Sequence, residues 1–186
     1  MIVAAILLLA ATALAPLLIS RLPLGHGRLT NIAAAMIAPA ILGLVAILGL
    51  VADPADGAGV VLIYCLTLAA AVTGGTLMVR AALLLGGIEP WQLDTPAPAD
   101  PVGTDPAPVP TPLRGGRVIG YLERIVVVAA LSLQWPEAIA IVLAVKGLGR
   151  YPELREPGAA EQFIIGTLAS VLWAAAAAGA AYLLVH

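Results

Sequence analysis

Residues 113–170 read LRGGRVIGYLERIVVVAALSLQWPEAIAIVLAVKGLGRYPELREPGAAEQFIIGTLAS. Charged side chains interrupt what is otherwise membrane-type sequence, with unbroken apolar runs at 125–133 and 138–145 on either side of Gln134-Trp135-Pro136-Glu137. Two short helices joined by a tight turn fit this pattern. Trp135 and Glu137 at the turn suit a membrane–water interface better than hydrocarbon.

The rest of the chain sets the solvent. Hydrophobic residues make up 61% and charged residues 11% of its 186 positions, with a mean hydropathy of +1.04. Ordinary soluble domains hold about 25% charged residues, so lipid rather than water is the expected surroundings. Several apolar runs reach the roughly 20 residues that a helix needs to cross a bilayer. They are continuous and rich in Ala and Leu, which excludes the alternating pattern of a β-barrel, and an open sheet cannot span lipid with unpaired edge amides. The expected fold is all-α, a polytopic transmembrane helix bundle of about six spans.

The spans are expected at 2–20, 32–52, 58–85, 117–133, 137–150 and 160–184. The first lacks the basic flank of a secretory signal, and Pro16 directly after Ala13-Leu14-Ala15 disfavours cleavage, so it is read as retained. Thr30 or Asn31 offers an N-cap for the second span, in which Pro39 is expected to make a kink. Thr73-Gly74-Gly75-Thr76 in the third presents small residues for close helix approach, as does Ala174 onward in the sixth. The fourth and fifth are short. They cross with their charged ends at the interface, or they form a re-entrant hairpin.

Residues 89–112 hold eight of the chain's fifteen prolines together with Asp94, Asp100 and Asp105, a composition that forms neither helix nor core. This segment is expected to be a linker between an N-terminal three-span scaffold, 1–88, and a C-terminal three-span unit, 113–186. The two halves make one membrane domain.

Counting turns along these spans puts all nine Lys and Arg residues on one side: Arg21, Arg28, Arg80, Arg114, Arg117, Arg124, Lys146, Arg150 and Arg155. The opposite turns carry Asp53, Asp56 and Glu137. By the positive-inside rule the basic side is cytoplasmic, the linker lies there, and both termini lie outside a cell membrane. The same counting leaves no charge near mid-depth.

An antiparallel turn at Trp135 brings Glu123 within reach of Lys146, and a second reversal near Arg155 brings Arg150 opposite Glu161. Charges within membrane helices commonly pair in this way. Basic residues are nevertheless in excess, which points to an anion site held by Arg117, Arg124, Lys146 and Arg150. Glu123 and Glu161 would serve as ion-pair partners, with Gly120, Thr167 and Ser170 lining the same cavity. The ligand expected there is an anionic lipid headgroup or an acidic partner segment. The partners expected are membrane lipids and another membrane protein or a second copy. A small transporter or channel using the intramembrane Glu, Lys and Arg is the alternative.

Other chemistry has little support. His26 and His186 are isolated, and Cys65 stands alone in an apolar span, so neither a metal-ligand spacing nor a nucleophile–base pair is present. Enzymatic activity is therefore not expected. No cofactor motif and no basic nucleic-acid footprint occur.

Three patterns in the C-terminal half carry a resemblance: G-R-x-I-G-x-L-E-R at 116–124, A-x-K-x-x-x-R-x-x-E at 144–153, and A-E-x-F-x-I-G-T-x-x-S at 160–170. They resemble the C-terminal membrane region of a group of uncharacterised bacterial multi-spanning proteins. The resemblance implies that Arg117, Gly120, Glu123, Arg124, Lys146, Arg150, Glu153, Glu161, Gly166, Thr167 and Ser170 form one unit, and it implies no activity. Tyr151 and Gln162 stand where that group more often has Phe and Tyr.

Overall fold

The computed structural model describes residues 1–19, 21, 28–88, 116–155 and 158–186. The linker and the turn containing His26 fall outside them. All regular structure among the described residues is helical: α1 (Ile2–Ile19), α2 (Arg28–Ala35), α3 (Ile37–Gly49), α4 (Gly57–Leu85), α5 (Gly116–Ser132), α6 (Glu137–Gly149) and α7 (Ala159–Val185). A 3-10 turn at Glu153–Arg155 precedes α7.

Four stretches are long and apolar enough to cross a membrane: Ile2–Ile19, Leu29–Gly49, Gly57–Leu85 and Ala159–Val185. The expectation of about six spans is therefore met only in part. At 1.5 Å per residue, α5 is about 25 Å long and α6 about 20 Å, below the roughly 30 Å of bilayer hydrocarbon.

The second stretch is broken between α2 and α3 at Met36, three residues before Pro39. A proline has no N–H to donate four residues back, and its ring crowds that carbonyl, here the one of Ala35. The disturbance therefore appears one turn ahead of the ring. Met36 instead donates to Ile32 and Ala33, and Ala40 restarts the ladder by donating to Met36.

Helix ends follow local chemistry. Gly158 takes a left-handed conformation (φ 81°) that a Cβ would resist, and this turns the chain into α7. In α6, Glu137 stands in the first turn and Lys146 in the last, each matching the sign that the helix dipole favours.

The centre of the bundle is α7, which packs on α4, α5 and α3, while α1 packs on α4 and α3. Small side chains allow this: Ala174, Ala177, Ala178 and Ala181 of α7 are buried against Val45, Ile63, Val127 and Val128. The outward faces are apolar too. Val3, Leu7, Leu14 and Leu18 of α1 and Ile164, Leu168 and Leu172 of α7 recur at four- and seven-residue spacing and are more than half exposed. Helix stripes of this kind, apolar both inside and out, are what a lipid-embedded bundle presents.

Candidate functional site: a charged cluster between α4, α5, α6 and α7

Two adjacent charged residues of α5 turn into the bundle. Glu123 and Arg124 are 2% and 4% exposed. Each meets a different set of partners.

Glu123 accepts a hydrogen bond through Oε2 from Lys146 Nζ of α6 at 2.5 Å, an ion pair whose Glu123 side chain is 1% exposed. Lys146 also donates to Thr167 Oγ1 of α7 at 3.0 Å, and its ammonium lies 5.5 Å from the centre of the Phe163 ring. One lysine thus fastens α6 to both α5 and α7. The other carboxylate oxygen, Glu123 Oε1, is buried and accepts no hydrogen bond among the described residues. Buried carboxylate oxygens ordinarily find a donor, so this one requires an explanation.

Arg124 donates from Nε to Ser170 Oγ of α7 at 3.2 Å and from Nη1 to the carbonyl oxygens of Ala71 and Val72 of α4. Its guanidinium stands 5.5 Å over the Tyr121 ring. Two glycines make the room. A Cβ on Gly75 would fall on the guanidinium, and one on Gly120 would come within 3.1 Å of Nη2. Gly74 does the same for Trp173, whose Nε1 donates to Ala70 O at 3.1 Å.

Ala71 is the central residue of α4. The Arg124 guanidinium therefore reaches the middle of the longest helix. Turn counting places a residue by its distance from the helix end, whereas an Arg side chain carries its charge several ångströms beyond its own Cα.

Of the residues expected in the anion site, Arg124 and Lys146 lie in this cluster, both already donating to the protein. Arg150 is half-buried just after α6. Arg117 belongs to the first turn of α5, and its side chain lies outside the described residues, as does that of Glu153. Of the expected partners, Glu123 pairs with Lys146. Glu161 is exposed in the first turn of α7, and among the described residues the salt bridge seen is that of Lys146 with Glu123. Thr167 and Ser170 are buried and accept from Lys146 and Arg124 respectively. Gly120 sits against the Arg124 guanidinium.

Sequence reasoning missed the α4 contribution. The carbonyls of Ala71 and Val72 cannot be read from residue type, although the Thr73-Gly74-Gly75-Thr76 run marked the place where something approaches. Among the described residues, no group of three His, Cys, Asp or Glu stands close enough to hold a metal ion.

Compared with protein-family models, curated proteins and solved structures, the chain matches none.

Proposed function

We propose that this chain is an integral membrane binding or accessory subunit. In this reading the end of the bundle where α4 finishes and α5 and α7 begin receives the phosphate of an anionic lipid headgroup. The observation that carries it is charge: Arg124 and Lys146 set two cations against the single carboxylate of Glu123 inside an apolar bundle. An uncompensated positive charge in low dielectric attracts a counter-ion. Lys146 and Arg150 stand nearest the headgroup layer, and Arg124 adds field from below.

The nine Lys and Arg residues favour the cytoplasm for this end. Six crossings, with α5 and α6 drawn into a locally thinned bilayer, put both termini outside. The support for α5 crossing is that Leu131 to Gln134 share a cavity with Ala178, Tyr182 and His186, at the far end of α7.

The test is lipid retention. Purified chain is expected to keep phosphatidylglycerol or cardiolipin in preference to phosphatidylethanolamine, and an Arg117→Ala/Arg150→Ala variant to lose about tenfold in apparent affinity, or about 1.4 kcal/mol. Equal retention of anionic and zwitterionic lipid by both proteins would defeat the proposal, and a stoichiometric acidic protein in place of lipid would redirect it to a peptide ligand.

A second reading, a small transporter, is favoured by Glu123 Oε1, a buried acceptor open to a hydrogen-bond donor from a passing solute or water. Saturable proteoliposome flux by the native chain, lost in a Glu123→Gln variant that thermal unfolding shows to be still folded, would select it.

A further inference from the structure

At the end of the bundle opposite the charged cluster, a cavity of about 420 Å³ opens between the last turns of α5 and α7 and the first third of α4. Its volume falls in the range of small-molecule pockets, about 300–1,000 Å³. Its lining is mixed. Leu131, Ala175 and Ala178 bring apolar surface, whereas Tyr64, Ser132, Gln134 and His186 bring hydroxyl, amide and imidazole groups. Such a lining suits an amphiphile.

Three further features describe what fits. The side chains that line it carry no carboxylate, ammonium or guanidinium, so an ionic headgroup would find no side chain of fixed opposite charge there. Tyr182 and His186 stack with ring centroids 4.3 Å apart and planes 14° from parallel, which gives one wall a flat aromatic face. Such faces favour planar rings offset against them. Gly179 has nothing within 4 Å of the position its Cβ would occupy, so this part of α7 is left open towards the lipid. Gln134, which follows α5, holds a φ of 55°, a conformation costly for a residue with a side chain.

We propose that this cavity binds the head of an uncharged, ring-headed membrane lipid of the quinone class. Its carbonyl oxygens accept hydrogen bonds from the hydroxyls of Tyr64 and Ser132 and from the Gln134 amide, while the His186 ring, whose Nδ1 faces the Tyr182 carbonyl, contributes its flat face, and its tail leaves past Gly179 into the bilayer. The site is separate from the charged cluster, and the proposal does not depend on the anion reading.

The experiment uses the full chain in an uncharged detergent and a soluble-tailed quinone, decylubiquinone, as probe. Trp135 follows the lining residue Gln134 in sequence, and quenching of the chain's tryptophan fluorescence reports binding. Saturable quenching of the native chain is expected, with Gly179→Leu, which fills the opening, weakening the apparent Kd at least about tenfold. Tyr64→Phe/Ser132→Ala, which removes two donors and leaves the volume nearly intact, is expected to weaken it several-fold. This second variant decides the matter if the first proves unstable by its melting temperature. Leu172→Ala, on the lipid face of α7 away from the cavity, is expected to bind like the native chain. Quenching that rises linearly without saturation in every variant would overturn the proposal, as would displacement of the probe by phosphatidylglycerol or diacylglycerol as readily as by a second quinone.

Discussion

Arg124 is the residue whose environment costs most to build. Its donors need Ser170 Oγ and two α4 carbonyls, and its guanidinium occupies the space that a side chain on Gly75 would take. Gly75→Ala is therefore expected to destabilise the chain by about 2 kcal/mol or more, although alanine is the better helix former by about 1 kcal/mol. Thermal unfolding in detergent measures this, and a stabilised variant would mean that the guanidinium is not held there. The run of small residues around Gly75 was legible as a point of close approach. Its visitor was not, because backbone carbonyls leave no trace in residue type and the contact joins positions about fifty residues apart.

Glu123 and Lys146 were legible as a pair, since an antiparallel turn near Trp135 fixes their register. Removing one partner from a buried ion pair strands the other charge and costs about 3–5 kcal/mol, whereas replacing both with apolar groups costs far less. Glu123→Gln and Lys146→Met are each expected to destabilise strongly, and the double variant by less than the sum, with a coupling of about 1–3 kcal/mol in a double-mutant cycle. Additive losses would show that the two side chains do not depend on one another.

Among the elements, the α2–α3 break and the α5–α6 hairpin repay comparison. Pro39 was read as a kink, and the structure locates the break at Met36, where the missing amide and the crowded carbonyl act. Pro39→Ala is expected to join α2 and α3 into one continuous helix, seen as slowed amide exchange at residues 36–40. Unchanged exchange there would assign the break to packing instead. The hairpin was legible as two short helices, but the placement of Glu161 relative to Arg150 was not. Counting across a reversal assumes a tight turn, and here a 3-10 turn and the left-handed Gly158 intervene and alter the register.

Taken whole, the described residues form a helical bundle whose helices are apolar on both their inner and outer faces. The fold class and the main long helices were evident because composition and run length suffice to identify them. The level at which Arg124 meets α4 was not, because it depends on how helices slide along one another. Cys65 is exposed on α4 near its first third. It is expected to react with a lipid-soluble maleimide and to resist a membrane-impermeant one in intact vesicles. Rapid labelling by both reagents would place that surface in water.

Arg124 also constrains the order in which the chain can be assembled. The carbonyls of Ala71 and Val72 leave the ribosome before Arg124, whereas Thr167 and Ser170 leave after it. An Arg and an acid at the centre of a helix each oppose insertion by about 2.5–3.5 kcal/mol on the translocon scale. During synthesis α5 is thus a weak stop signal that depends on α4 waiting beside it and on α7 still to come, so in a nascent chain arrested before residue 159 the hairpin should be open to added protease while the first three spans stay protected.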